Sequence, residues 1–147
     1  MSNVTTTPAK KVTTRDYKGE DNGFLIELYK DAETGIKTEA YLTAAFPGAF
    51  KGYHLHRVRA ARYVCLKGQM KIITYERENN AWIRKETLLD GATPTRMFIP
   101  KDIATGLENI GTEEAWLVNY PDPAYDPNLK DEQVEYTQEE LEQNIVK

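Results

Sequence analysis

Residues 62–88 read RYVCLKGQMKIITYERENNAWIRKETL. Three runs rich in β-branched and aromatic residues, 62–66, 69–75 and 82–88, are separated by Lys67-Gly68 and by Asn79-Asn80. Each run has strand length, and the two breaks carry turn chemistry. Lys67-Gly68 predicts a tight hairpin, with the glycine free to take positive φ. Asn79-Asn80 predicts a second turn. Upstream, 24–29 (FLIELY) follows a glycine-bounded turn at 19–23, and 36–45 runs into Pro47-Gly48. Downstream, 96–99 stops at Pro100 and 115–120 at Pro121. So many short strands at this spacing mean an all-β sandwich or barrel. No helical pattern of the length a βαβ crossover needs falls between them. The one predicted helix is terminal. Thr137 and Glu140 form a capping box, and Leu141 and Ile145 lie four apart. So small an apolar face must dock to persist. The expected layout is a flexible segment over 1–15, a barrel over 16–136 and the helix over 137–147.

The chain of 147 residues is the size of one domain. Its net charge is −4, with the acidic residues concentrated in 122–142. Basic residues cluster only over 51–71, a patch too small for a duplex but suited to one or two phosphates, or simply a solvated surface. Nucleic acid is therefore not an expected partner. Neither is a membrane, because no apolar run approaches spanning length. The opening MSNVTTTPAKKVTTRD carries no secretory pattern, so a cytoplasmic location is expected. Cys65, the single cysteine, sits in an apolar run and reads as a small buried hydrophobe. The nine tyrosines and two tryptophans read mostly as wall and core, and a Tyr-lined interior can also stack a sugar or base.

The two histidines are His54 and His56, in KGYHLH (51–56). Residues i and i+2 of a strand share a face, so both imidazoles can enter one cavity. Imidazole suits metal ligation or proton transfer near neutral pH.

His-x-His resembles the start of a cupin metal site. The later segment PKDIATGLEN (100–109) resembles the second cupin motif, with Asp102 at its glycine and Thr105 at its histidine. Ala60 and Ala61, followed by Arg62, stand where a glutamate ligand is due. Two imidazoles alone make a poor closed shell, so no bound metal is expected. The chain resembles more strongly the metal-free cupins that act on nucleotide-linked sugars. PGAFKGYH (47–54) is similar to the Pro-Gly-x-x-Arg-Gly-x-His segment of the dTDP-4-keto-6-deoxyhexose 3,5-epimerases. Asn119-Tyr120, Tyr125-Asp126-Pro127 and Asp131-Glu132 resemble that family's ending. GYHLH (52–56) and VCLKG (64–68) resemble the sibling dTDP-sugar 3,4-ketoisomerases. The resemblance implies a cupin jelly-roll barrel. It implies an epimerase or ketoisomerase that removes a proton beside a ketone and needs no cofactor. The substrate it implies is a nucleotide-activated sugar, dTDP-linked.

His54 matches the epimerase base and His56 the ketoisomerase base; which one acts is open. Tyr120 matches the proton donor. Lys51 and Arg62 match groups that bind diphosphate or steady the enolate, with Arg59 and Arg96 as further phosphate contacts. The epimerases have a histidine at the position of Thr105 and a C-terminal aspartate that orients the base. Asp102, Asp131 or a residue of another subunit could substitute for that aspartate. These departures favour a single-centre epimerase or a ketoisomerase over the double epimerase. The competing readings are a non-catalytic sugar-binding cupin, a metal-dependent cupin enzyme using Glu108 or Asp102, and an unrelated β-protein. A homodimer is expected, with 13–29 covering an edge.

Overall fold

The computed structural model describes residues 10–30, 39–123 and 125–147. Two antiparallel sheets face each other. In spatial order, sheet A contains β1 (Lys11–Arg15), β2 (Asp21–Lys30), β3 (Glu39–Ala45), β10 (Ala115–Asn119), β5 (Ala61–Lys67) and β8 (Arg96–Ile99). Sheet B contains β11 (Gln133–Glu135), β4 (Phe50–His56), β9 (Ala104–Asn109), β6 (Gln69–Glu78) and β7 (Ala81–Asp90). This is the two-sheet jelly-roll barrel that the resemblance implies. One short helix, α1 (Gln138–Glu142), follows it.

Residues 1–9 of the segment expected to be flexible, and 36–38 of the strand expected over 36–45, lie outside the described residues. The rest of that first segment contains a strand, because β1 pairs with β2 and Lys11 Nζ lies 4.2 Å over the Phe24 ring. Asn79 and Asn80 take φ of 50° and 65° and close the β6–β7 hairpin as expected. The hairpin expected at Lys67-Gly68 is not one. β5 lies in sheet A and β6 in sheet B, and Gly68 carries the chain between them at φ 72°. The physical reason is the core. Cys65 and Met70 pack into it from opposite sheets, and a Cβ on Gly68 would come within 3.0 Å of Ala115 Cα.

β6 is apolar on both faces because both are covered. Met70 and Ile72 enter the core between the sheets with Cys65, Leu89 and Leu117. Ile73 and Tyr75 face outward into a second cluster with Tyr53, Trp82, Tyr136 and Leu141. Thr137 caps α1 with Glu140 in the expected capping box. The helix ends at Glu142, short of Ile145, and docks through Leu141 onto the outer face of sheet B.

Candidate functional site

The interior core closes one part of the barrel. The remainder is a cavity of about 1200 Å³ between the sheets. β4 supplies Lys51, His54 and His56 to it. The histidines share a face by strand alternation, while Tyr53 and Leu55 point to the outer cluster. Lys51 joins them only because the β4–β9 register shifts between Lys51 and His54. Gly52 permits this at φ 121°, with Thr105 O only 2.7 Å from where a Cβ would be. Thr105, at the position of the missing family histidine, pairs with His54 across β4 and β9.

His56 has a buried carboxylate beside it. Glu132 is 5 % exposed, and its Oε2 lies 3.2 Å from His56 Nδ1. Its Oε1 accepts from the Arg59 backbone N–H at 3.1 Å and from Arg59 Nε at 3.3 Å. Burial pushes the Glu132 pKa up, but these donors outweigh it and hold the carboxyl below its usual range. Arg59 Nη2 is also 3.1 Å from His56 Nδ1. That nitrogen can donate to Glu132 or accept from Arg59, not both. An ionised carboxylate only accepts, and the described residues give Oε2 no donor except His56. By the same count Arg59 Nη2 has no acceptor among the described residues except His56 Nδ1, so the carboxylate and the guanidinium compete for that nitrogen. Burial, then the Arg59 charge, lowers the His56 pKa below 6.5 against the opposing pull of Glu132.

His54 differs. Gln133 Nε2 donates to its Nδ1 at 3.2 Å, which puts the His54 proton on Nε2. Its nearest carboxylate, Glu135, is 3.7 Å away and largely exposed. Burial lowers its pKa as well. Lys51 donates to Thr14 Oγ1 and Asn22 Oδ1, both neutral acceptors. Burial brings its pKa down to about 8. Four phenols line the cavity: Tyr41, Tyr63 and Tyr125, with the exposed Tyr17 at its rim. Burial raises the pKa of Tyr41 and of Tyr63, and the Tyr125 ring centroid lies 5.2 Å from the Arg59 guanidinium.

Of the residues named from sequence, the cavity gathers His54, His56, Lys51 and Arg59 and leaves out Tyr120, Arg62 and Arg96. Strand parity explains all three exclusions. Leu117 and Asn119 point inward, so Tyr120 turns out and is 53 % exposed. Ala61 and Tyr63 point inward, so Arg62 faces outward, ion-pairs with Asp122 and stacks on Phe98. Arg96 pairs in register with the outward Val64. Asp102 and Asp131 occupy exposed positive-φ turns and do not orient a histidine. Glu132 does, and sequence reading assigns it no role of its own. The resemblance includes it in Asp131-Glu132, but nothing local points to His56, since that contact spans 76 positions and arises when β11 pairs with β4.

The donor set does not fit a cupin metal centre. Among the described residues no three His, Cys, Asp or Glu side chains converge as a ligand group. Glu108 ion-pairs with Lys71 instead, and the charged groups nearest His56 include a guanidinium.

Comparison with known proteins agrees with this architecture. The chain is 24 % identical over 118 residues to the spore coat polysaccharide biosynthesis protein SpsL of Bacillus subtilis, covering 77 % of this chain and 78 % of that one. It is 28 % identical over 121 residues to the probable low-salt glycan biosynthesis epimerase Agl13 of Haloferax volcanii, covering 78 % of each. In fold it is similar to the capsular polysaccharide assembling protein CapF of Staphylococcus aureus (TM-score 0.70, 21 % identity). That match covers 88 % of this chain but 34 % of CapF, so the chain spans about a third of that protein. Oxalate oxidase shares the fold at TM-score 0.63 and 17 % identity, over 82 % of this chain and 59 % of that one. The family model described as the polysaccharide biosynthesis C-terminal domain matches residues 18–133, and the chain belongs to that family.

Proposed function

We propose that the protein is an epimerase or ketoisomerase acting on a nucleotide-linked 4-keto-6-deoxy sugar, with His56 as the base. The observation that carries this reading is the His56–Glu132 pair. In this reading Glu132, a buried carboxylate, accepts the hydrogen bond from Nδ1–H and leaves Nε2 bare, in a cavity large enough for a sugar nucleotide. A binding-only cupin has no need of such a pair. The name of Agl13 supports the epimerase alternative.

In this reading His56 Nε2 takes the proton from the carbon beside the ketone. The C–H electron pair moves into the ring and the carbonyl pair onto oxygen, giving an enolate. Arg59 steadies that negative charge. A phenol returns a proton, to the same carbon as the carbonyl re-forms in an epimerase, or to the former carbonyl carbon as the neighbouring hydroxyl loses its proton and becomes the ketone in a ketoisomerase. Tyr125, which lines the cavity, takes the role that the resemblance gives to Tyr120. Lys51, held by two neutral oxygens, receives the diphosphate as a point charge. The dTDP linkage and a cytoplasmic location are part of the same proposal. No helix among the described residues is long and apolar enough to cross a membrane.

The test is incubation with dTDP-4-keto-6-deoxyglucose in deuterated water, with the sugar observed by proton NMR. Deuterium is expected beside the ketone: at carbon 3 for a 3-epimerase, at carbon 4 of the 3-keto product for a ketoisomerase, and at carbons 3 and 5 for the double epimerase. Absence of exchange, together with absence of saturation transfer from protein to nucleotide, would overturn this substrate class.

The expected second copy is proposed on the outer face of sheet A. Ile26, Leu42, Val118 and Val64 form a row in register across β2, β3, β10 and β5, with exposed Leu66 and Phe98 beside it. Leu66 and Phe98 are the exposed apolar side chains of this face, while Leu42 within the row is buried in the single chain. Six strands spaced about 4.8 Å apart and about 20 Å long offer on the order of 500 Å² in plane. With side-chain relief that approaches the roughly 800 Å² per partner of a standard interface. Light scattering should find a dimer, and Val118→Lys should dissociate it. A wild-type monomer at micromolar concentration would remove the idea.

A further inference from the structure

β11 is three residues long and lies at the edge of sheet B, paired only with β4. Yet this segment and the residue before it carry the carboxylate beside His56, Glu132, and both partners of His54, Gln133 and Glu135; Arg59 is the one other group at His56 among the described residues. An edge strand of this length is marginal alone. The residues C-terminal to β11 hold it in place. Tyr136 N–H donates to Tyr53 O at 3.1 Å, and the Tyr136 ring packs edge-on against Trp82 at 5.7 Å. Leu141 is fully buried beside them. The chain then returns. Trp82 donates from its backbone to Asn144 Oδ1 at 2.9 Å and from Nε1 to Ile145 O at 2.7 Å. Lys147 N–H donates to Tyr136 Oη at 2.8 Å and its Nζ to Glu135 O at 2.9 Å. Arg57, one residue past His56, donates to Lys147 O at 2.8 Å.

We infer that Tyr136–Lys147 is a strap that positions the base. By tying the end of β11 across the outer face of sheet B to Trp82 of β7, it holds Glu132 against His56 Nδ1, keeping the proton on that nitrogen and Nε2 bare. The strap lies beyond the family match, which ends at Gln133. Its residues are positioning residues; none lines the cavity. The inference deepens the reading of His56 as base, but its direct test needs no substrate.

The chain has two histidines, so nitrogen-15 NMR of labelled protein resolves both rings, assigned by His54→Gln and His56→Gln. In the full chain, His56 should show Nδ1–H and a bare Nε2, and His54 the reverse. In a chain ending at Asn144, His56 should shift toward the Nε2–H form that free imidazole prefers, while amide signals of β3, β5 and β10 stay in place. Tyr136→Phe keeps the ring and removes the acceptor for Lys147 N–H, so it should shift His56 in the same direction by less. If the shortened chain fails to fold, Tyr136→Phe alone decides. An unchanged His56 tautomer in every variant that folds would overturn the strap. Loss of signal dispersion across sheet A in both would do so too, because the segment would then be serving global stability. Failure of deuterium exchange on the sugar nucleotide would remove the assignment of His56 as base and leave the tautomer result standing.

Discussion

His54 and His56 lie two residues apart on one face of one strand and open into one cavity, yet their surroundings make them different groups. His56 backs onto a carboxylate that is itself buried and held by Arg59. His54 backs onto an amide and a distant, exposed carboxylate. The first arrangement stabilises the cation that forms when the ring takes a proton. The second places a proton on the nitrogen that would have to accept one. Strand geometry brings two imidazoles to a site, and the neighbouring strand decides which one has a buried carboxylate behind it.

The largest effect should come from breaking His56 itself. His56→Ala should lower turnover by about 10²–10⁴-fold, the range for loss of a positioned base. His54→Ala should cost less than about tenfold in the same assay. Equal losses would dissolve the distinction. Glu132→Gln keeps the shape and removes the charge, so it should approach the His56→Ala loss through kcat rather than KM. Wild-type kcat in Glu132→Gln would show that the carboxylate is not the orienting group.

Arg59 probes the support behind the pair. Arg59→Met leaves Glu132 buried without its cation, and should destabilise the fold by about 3–5 kcal/mol in urea unfolding. An unchanged midpoint would mean that the carboxylate finds another donor or takes up a proton.

A pH profile sharpens the contrast further. The base must be unprotonated, so kcat/KM should fall as pH drops through the His56 pKa, which burial and Arg59 place below 6.5. Glu132 raises that pKa, so in Glu132→Gln the acidic limb of any residual activity should move to lower pH. A shift to higher pH would reverse the assigned sign. The smallest effect is expected at Lys51. Its ammonium is lost as pH rises through about 8, so nucleotide affinity measured by titration calorimetry should weaken above that pH. Lys51→Gln should bind more weakly below pH 8 and lose this dependence.

Local pattern carries a good deal of the architecture. The turn at Asn79-Asn80, the capping box at Thr137 and the shared face of His54 and His56 depend on neighbours within a few residues, and each is present. Parity is enough to exclude Tyr120 and Arg62. Leu117 and Asn119 alternate with Tyr120, and Tyr63 and Cys65 alternate with Arg62, so an inward set implies an outward one. Lys51 escapes parity because a bulge at Gly52 shifts it by one position. The Lys67-Gly68 turn misleads because a glycine between two apolar runs looks the same whether they pair side by side or cross between sheets.

By itself the sequence determined the all-β class, the terminal helix and the pair of imidazoles, since these depend on periodicities of two and about four residues along the chain. Tertiary structure alone decided which imidazole has a buried carboxylate, which cations enter the cavity and which contacts clamp the partner strand. Those properties depend on pairs such as His56 with Glu132 and Trp82 with Ile145, spanning 76 and 63 positions. No local pattern encodes such pairs, because burial and sheet order bring them together only after the chain has closed on itself.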